Sequence, residues 1–422
     1  MSEPEPAPHA VAPLDLTAAE DRYAVLRNRN FMLYLVGRFI AALGQQMLTV
    51  AVGWELYERT HSALALGLVG LVQMIPMIVL ILPAGHLADT RDRKRIIVLM
   101  VGTIALASLG LAVVSLLGLH VGWTYFCLFL AGIARTFLWP ASSAFLPQLV
   151  PRRQFSRAVT WNSGGFHLSS VAGPACGGAL IALTHHAATV YVINTGATVV
   201  CLVLIWLVRA PHRAVAPEAM TLANLIAGFR FVYATKIVFG AITLDLFAVL
   251  LGGATALLPV YAKDILGVGP SGLGLLQAAL PAGSLISALV LAHRPPLEKA
   301  GRALLWAVIG FGVATVAFGY STSFWVSFAM LFVCGATDNV SIVVRHTLVQ
   351  LLTPDEKRGR VSAVNSLFIG TSNELGGFES GLVAHWFTPV FSVVSGGIGT
   401  IVVVIAVALI WPELRRYGRL EG

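Results

Sequence analysis

Three carboxylates interrupt long apolar stretches of this 422-residue sequence and are the first candidates for chemistry. A charged side chain at bilayer depth costs about 3 kcal/mol on insertion scales, so a carboxylate there is a functional candidate by default. A carboxyl group that alternates between water and a dry cavity changes its proton affinity, so it can bind a proton on one side and release it on the other. The predicted proton carriers are Asp245 and Glu374, followed by Glu55.

Further polar residues lie in other apolar stretches and are expected to line a central cavity. Arg135 and Asp338 follow Gly132 and Gly335 by three residues, and these positions correspond in an internal repeat of the chain. We expect the two side chains to face one another, either as an ion pair that forms and breaks or as a static structural pair. The remaining cavity candidates are Arg38, Gln45 and Gln46.

The composition places these residues in a membrane protein. The chain is 57% hydrophobic and 11% charged, whereas soluble domains carry roughly 25% charged residues. Its formal net charge is +8. Most of the Lys and Arg residues fall in segments on one predicted side of the membrane, which is the positive-inside pattern. The charge therefore does not indicate a nucleic-acid-binding surface.

Twelve apolar segments are long enough to cross a hydrocarbon core of roughly 30 Å as helices of about 20 residues. The even number of spans, with cations after the last one, predicts a multi-pass protein of the cell membrane with both termini in the cytoplasm. The segments lie near residues 31–57, 62–88, 94–118, 122–146, 157–183, 186–209, 235–263, 269–293, 301–320, 323–350, 359–386 and 388–411.

The spans divide into two halves joined by a linker. Residues 1–25 predict a disordered cytoplasmic tail, and residues 412–422 a second cytoplasmic tail. Residues 26–209 and 235–411 each predict a six-helix bundle. The linker, residues 210–234, has apolar residues at helical spacing, which indicates an amphipathic helix on the inner membrane surface or an ordinary linker.

An internal repeat relates the two halves. Gln148-Leu149-Val150 matches Gln350-Leu351-Leu352 at an offset of 202 residues, and Gly173 matches Gly376 at an offset of 203. Parallel repeats of six spans occur in transporters whose substrate site lies near the bilayer midplane. The predicted fold is therefore an all-α membrane protein, with twelve transmembrane helices in two pseudo-symmetric bundles.

A densely charged turn follows the second span and reads Gly85-His86-Leu87-Ala88-Asp89-Thr90-Arg91-Asp92-Arg93-Lys94-Arg95. It resembles the loop between helices 2 and 3 of the major facilitator superfamily, with Asp92 where the family has Gly. The resemblance implies a cytoplasmic gate, in which Asp89 caps the N-terminus of the eleventh span, Gly85 permits close approach and Arg93 supplies a salt bridge. Asp89→Asn is expected to lose transport while still reaching the membrane, and full activity of this variant would refute the gate.

The fifth span carries a second motif, Ser169-x-x-x-Gly173-Pro174-x-x-Gly177-Gly178. It resembles the antiporter motif of the superfamily, with Ser169 in place of Gly. Glycines at this spacing let another helix approach closely, and Pro174 permits a bend. The family associates this motif with exporters driven by proton exchange. Generic packing of small residues is the alternative interpretation.

The resemblance extends to the effluxer branch of the superfamily, which includes siderophore and drug exporters. It implies a secondary active transporter that exports an amphipathic small molecule by alternating access, in exchange for protons. The alternatives are a facilitator or importer of a small solute, and a lipid-moving or sensor protein of the same fold. The residues that carry the branch resemblance are Trp54-x-x-Tyr57, the segment from Arg135 to Pro140, and Pro147-Gln148-Leu149-Val150-Pro151.

Other classes of function lack their motifs. The sequence has no GxxxxGK phosphate loop and no HExxH motif, so we expect neither an enzyme nor a cofactor. His185-His186 has no further ligands at metal-binding spacing, so no metal is expected. The expected partners are a small-molecule substrate, protons and the lipid bilayer, without nucleic acid, and the chain is expected to be a monomer.

Overall fold

The computed structural model describes residues 23–209, 222–295 and 298–418, and these form helices joined by short turns, without a β-strand. The predicted N-terminal tail falls almost entirely outside this part of the chain. The first half of the linker and the last four residues also lie outside it.

The first half consists of six long helices. Three of them begin at a capping side chain, because Asn28, Ser62 and Asp92 each accept hydrogen bonds from backbone N–H groups of the following turn. These caps fix locally where the chain reverses direction. The helices are α1 (Arg29–Thr60), α2 (Ala63–Thr90), α3 (Arg93–Leu116), α4 (Gly122–Leu149), α5 (Phe155–Thr184) and α6 (Ala187–Leu207).

The second half begins with a short helix inside the predicted linker and then repeats the six-span pattern. The helices are α7 (Leu222–Ala234), α8 (Lys236–Leu251), α9 (Leu258–Val260), α10 (Gly269–Ala292), α11 (Ala300–Tyr320), α12 (Phe324–Leu352), α13 (Asp355–Trp386), α14 (Pro389–Ile410) and α15 (Pro412–Arg416). Two of the helices, α9 and α15, are very short.

The seventh predicted span is not one continuous helix. It breaks after Leu251 at Gly252 and Gly253, and continues through a short 3₁₀ turn, α9 and a single π-helical turn that ends at Ile265. A Cβ atom on Gly253 would collide with the carbonyl of Gly376 in α13. The break therefore lets the backbones of two helices touch, as glycine allows at such sites.

Within the described ranges, eleven segments have the length and apolarity to cross a membrane. Helix α13 is the remaining long helix, and its 32 residues exceed the roughly 20 that a span requires. It is less apolar because it carries charged residues in its first turns and Glu374 and Glu379 further along. The prediction of an all-α membrane fold with twelve long helical segments is confirmed, and α13 is the most polar of the twelve.

The two ends of the bundle differ in how the halves meet. We call the end with the α1–α2 turn the His61 face and the end with the α2–α3 turn the Asp92 face. At the His61 face one buried core contains residues of both halves, including Leu48 and Tyr57 with Leu257 and Tyr261. At the Asp92 face the described residues form separate cores in each half.

Two helix pairs cross between the halves at glycine contacts. A Cβ on Gly67 of α2 would lie 3.1 Å from Gly381 Cα of α13, and a Cβ on Gly178 of α5 would lie 2.9 Å from Gly274 Cα of α10. Small residues allow such close backbone approach between helices in lipid. Both contacts lie toward the His61 face, so they hold the halves together at that end.

Candidate functional site

A buried ion pair joins α8 to α12. Asp245, predicted as a proton carrier, contacts Arg345, and their side chains are only 9% and 2% exposed. A buried charge requires a partner, since removing one member of such a pair costs about 3–5 kcal/mol. The sequence placed Arg345 within a span but gave no signal that would pair it with Asp245, which lies 100 residues earlier.

Asp338 lies beside this pair. It lines one small cavity together with Asp245, Phe311 and Ser341. In the part of the chain that the structure describes, its carboxylate has neither a hydrogen bond nor an ion-pair partner. The cavity therefore brings two carboxylates together, and only Asp245 has an arginine partner, so one negative charge remains that a proton would neutralise.

The structure corrects the predicted contact between Arg135 and Asp338. Arg135 Nη1 donates a hydrogen bond of 2.6 Å to Gln73 Oε1 of α2 instead. Gly132 packs on Gln73 of α2, whereas Gly335 packs on Leu280 of α10. Among the described residues no hydrogen bond or ion pair joins Arg135 to Asp338, so the repeat does not bring the two side chains together in this structure.

Glu374 lies at the contact between the halves. The carbonyl of Glu374 packs against Gly70 of α2, where a Cβ atom would collide with it. Its carboxylate interacts electrostatically with Arg135. Glu374 of the second half thus joins Arg135 and Gln73 of the first half in a polar cluster between α2, α4 and α13.

Glu55 and Glu379 lie nearer the His61 face. Glu55 forms an ion pair of 3.4 Å with Arg59 and accepts a hydrogen bond from buried Tyr191. Glu379 is half-buried, and the Ser380 hydroxyl donates to it. Glu55 is thus already compensated by two partners, and its role as a proton carrier stays a prediction.

A cavity of about 230 Å³ opens between α1, α4 and α5 in the first half. Arg38 lines it together with Trp139, Phe166 and His167. In the described residues the guanidinium of Arg38 has no hydrogen bond or ion pair, so it is available to a ligand. The sequence indicated Arg38 as a cavity residue, whereas His167 had no distinguishing signal.

Two glutamines continue along α1 from this cavity. Gln46 Nε2 donates to Ser170 Oγ of α5 at 3.1 Å. Gln45 Nε2 is buried and has no hydrogen-bond partner in the structure. A buried amide that lacks a partner is costly, so Gln45 is a candidate for contact with water or substrate.

The glycine motif of α5 packs against two helices at once. A Cβ on Gly173 or Gly177 would collide with Gln46 or Met47 of α1, and Gly178 meets α10. Pro174 and Ser169 are buried in the same stretch, and Ser169 donates to the carbonyl of Gly165 at 2.9 Å. The motif therefore forms part of the contact between the halves.

The charged turn between α2 and α3 is organised by Asp92 and Arg93. Asp92 caps α3, accepting from the Lys94 N–H at 2.9 Å. Arg93 donates to the carbonyls of Ala88 and Ala144, at 3.2 and 3.0 Å. Gly85 is buried, and Asp89 interacts electrostatically with Arg93.

The predicted cap of α13 by Asp89 is not formed in this structure. No hydrogen bond joins Asp89 to α13 among the described residues. Helix α13 also begins at Asp355, about one turn before the predicted start. The gate role of Gly85, Asp89 and Arg93 therefore stays a prediction.

Polar contacts between the halves at the His61 face went unrecognised in the sequence. The Tyr57 hydroxyl of α1 donates to the Asp264 carboxylate in the π-helical turn. Lys263 Nζ lies 5.7 Å from the ring centroid of Trp54, within cation–π range. These contacts seal the His61 face together with the shared apolar core. No group of metal-ligating side chains is found in the described ranges.

Comparison with known proteins agrees with this architecture. A profile of the transmembrane secretion effector family matches residues 20–416. The enterobactin exporters EntS of Shigella boydii serotype 18 and Escherichia coli O1:K1 are each 28% identical to the chain over 398 residues. These alignments cover 92% of this chain and 93% of each relative.

Solved transporters share the fold. The nucleoside transporter NupG superposes with a TM-score of 0.71 at 11% identity, covering 90% of this chain and all of that one. A bacterial homologue of the human lysosomal transporter Spinster, inward-facing and occupied, gives 0.69 at 15% identity, covering 94% and 97%. The chain therefore belongs to the transmembrane secretion effector family and is an efflux-type transporter of the major facilitator superfamily.

Proposed function

We propose that the chain exports an amphipathic small molecule in exchange for protons, by alternating access between the two halves. The observation that carries the coupling is the cavity that Asp245 and Asp338 line together, in which only Asp245 is paired with an arginine, Arg345. The relatives named as enterobactin exporters support export as the direction. Asp338 joins Asp245 as the principal proton-binding group, and Glu374 is the candidate at the contact between halves.

The coupling step follows from the positions of the three side chains. Arg345 and Asp338 are seven residues apart, so they lie on one face of α12. Helical side chains lean toward the N-terminus, which directs Arg345 toward Asp338. Protonation of Asp245 would break its ion pair with Arg345, and Arg345 would then pair with Asp338. Because Arg345 and Asp338 are both on α12, α8 would lose its ionic link to that helix.

The substrate-binding surface is proposed to include the cavity at Arg38. An aromatic wall of Trp139 and Phe166 suits a planar group, and the unpaired guanidinium of Arg38 suits an acidic or phenolic oxygen. Arg135, Gln45 and Gln46 would supply further polar contacts along the path. A siderophore-like or drug-like molecule has both kinds of group.

We propose that the Asp92 face is cytoplasmic and the His61 face external, with both termini in the cytoplasm. The described part of the Asp92 face is rich in exposed Lys and Arg residues, whereas the cations at the described part of the His61 face are Arg59 and Lys263. The membrane would be the inner or plasma membrane. One chain contains both halves of the pathway, so a monomer is sufficient, and nucleic acid has no role.

The test uses the purified chain in acid-inside proteoliposomes, with enterobactin and ethidium as substrates. An antiporter takes up substrate as protons leave, so a pH dye inside the vesicles reports proton efflux and the substrate retained by the vesicles reports uptake. Asp338→Asn leaves the Asp245–Arg345 pair intact, so it tests the coupling without the folding cost of a broken pair. We expect it to lose most gradient-driven uptake while exchange at equal pH continues.

Glu379→Gln is the matched control, because it also removes a half-buried carboxylate within a span. It should retain gradient-driven uptake. If uptake by the unmodified protein does not depend on the pH gradient, the protein is a facilitator. If Asp338→Asn retains gradient-driven uptake, Asp338 is not a coupling residue. Transfer of labelled lipid instead of either substrate would indicate a lipid-moving protein.

A further inference from the structure

An apolar cavity of about 550 Å³ lies between the linker helix α7, α8 and α13. This volume is within the roughly 300–1,000 Å³ of small-molecule sites. Every lining residue belongs to α7 or the second half, so the cavity is separate from the one at Arg38. The lining residues are Ile226, Phe229, Arg230, Val232, Tyr233, Phe239, Ile242, Thr243, Leu246, Phe247 and Phe368.

The walls of this cavity are held by packing among aromatic rings. Phe229 and Phe368 lie 5.5 Å apart between centroids, and Tyr233 and Phe239 lie 5.3 Å apart. Gly228 brings α7 against the Arg360 carbonyl of α13, where a Cβ atom would lie 2.8 Å away. The cavity is therefore a built feature of the Asp92 face, where α8 and α13 begin.

Arg230 is the one charged residue that lines the cavity. It is exposed, and in the described residues it has no hydrogen bond or ion pair. Lys357 lies nearby on α13, with Nζ 5.1 Å from the centroid of the Phe231 ring. An apolar cavity with free positive charge at its edge complements a molecule that has a hydrocarbon chain and an anionic head.

We propose that this cavity binds an anionic phospholipid, with one acyl chain between α7, α8 and α13 and its phosphate at Arg230. The bilayer that surrounds the protein supplies such a molecule at the level where α8 and α13 begin. Basic pockets between helices at one membrane surface bind anionic headgroups in this way. The site is distinct from the substrate route and does not depend on the proposed proton coupling.

The test counts lipids that remain bound to the full chain. The protein, purified in a neutral detergent, is incubated with equal amounts of phosphatidylglycerol and phosphatidylcholine of the same chain length, and native mass spectrometry measures both. We expect the unmodified protein to favour phosphatidylglycerol. Arg230→Gln should lower the retention of phosphatidylglycerol about fivefold, because that factor corresponds to the attraction of one cation for an anionic headgroup.

Two variants control for the two parts of the site. Arg294→Gln removes an exposed cation of the Asp92 face outside the cavity and should leave the retention of both lipids unchanged. Thr243→Trp fills the cavity and should lose both lipids. If Thr243→Trp does not give a monodisperse protein, the comparison of Arg230→Gln with Arg294→Gln decides the proposal alone.

Three results would overturn the proposal. The first is equal retention of phosphatidylglycerol by Arg230→Gln and the unmodified protein. The second is equal retention of both lipids by Thr243→Trp and the unmodified protein. The third is displacement of the lipid by enterobactin at concentrations that saturate transport, which would assign the cavity to the substrate route.

Discussion

The His61 face and the Asp92 face join the same two halves by different means. At the His61 face one apolar core crosses between the halves, and glycines bring α5 onto α10 and α2 onto α13. At the Asp92 face the described residues form separate cores, and the buried Asp245–Arg345 pair lies beside the core of the second half. Apolar and backbone packing therefore joins the halves at the His61 face, whereas a buried ion pair lies on the side of the Asp92 face.

The largest effect is expected where backbone contact closes the His61 face. Gly178→Val would place a Cβ 2.9 Å from Gly274 Cα, so α5 and α10 would have to separate. We expect loss of transport and new labelling of a cysteine introduced at Met47 by an impermeant maleimide. Gly196→Val is the control, because nothing lies within 4 Å of a Cβ there. Full transport by Gly178→Val would contradict this account of the seal.

The buried ion pair should give the next largest effect. Arg345→Met leaves Asp245 as a buried charge without its partner and should lower the stability by about 3–5 kcal/mol, measured as denaturant unfolding in detergent. The double variant with Asp245→Asn removes both charges and should recover most of that stability. It should still lack proton-driven uptake. A double variant as unstable as Arg345→Met would show that packing, not charge, dominates at this site.

The smallest effect is expected at the polar contact of the His61 face. Tyr57→Phe removes the hydrogen bond to Asp264, and a bond to a charged group contributes about 1.5–3 kcal/mol. The shared core should keep the face closed, so we expect transport to fall only severalfold. A double-mutant cycle with Asp264→Asn measures the coupling between the two side chains. Additive losses in the two single variants would mean that the bond does not link the halves.

The sequence was sufficient for most of the fold, because the determinants of spans are local. Apolar runs of about 20 residues gave the helices to within a few residues. The break at Gly252 and Gly253 was not predicted, because both glycines stand in a continuous apolar run. Only the packing of Gly253 on Gly376 shows why the helix must end there.

The candidate site was less predictable, since partners in space are distant in sequence. Asp245 stood out as an intramembrane carboxylate, but its link to Arg345 depends on how α8 packs on α12. The expected contact between Arg135 and Asp338 assumed that equivalent positions in a repeat face each other. Arg135 instead contacts Gln73 of α2 and interacts with Glu374 of α13, so equivalence in the repeat did not identify its partner.

The two parts of the broken seventh span pack into different cores. Leu244, next to Asp245, packs into the core of the second half, whereas Leu257 and Tyr261 belong to the core shared at the His61 face. We infer that the glycines between them act as a hinge within a single membrane crossing. We expect α8 to pivot there when the Arg345–Asp245 ion pair breaks, while the segment beyond the hinge stays packed in the core of the His61 face. Protonation in one part of the span would thus tilt α8. The core shared at the His61 face would stay packed until that tilt is large.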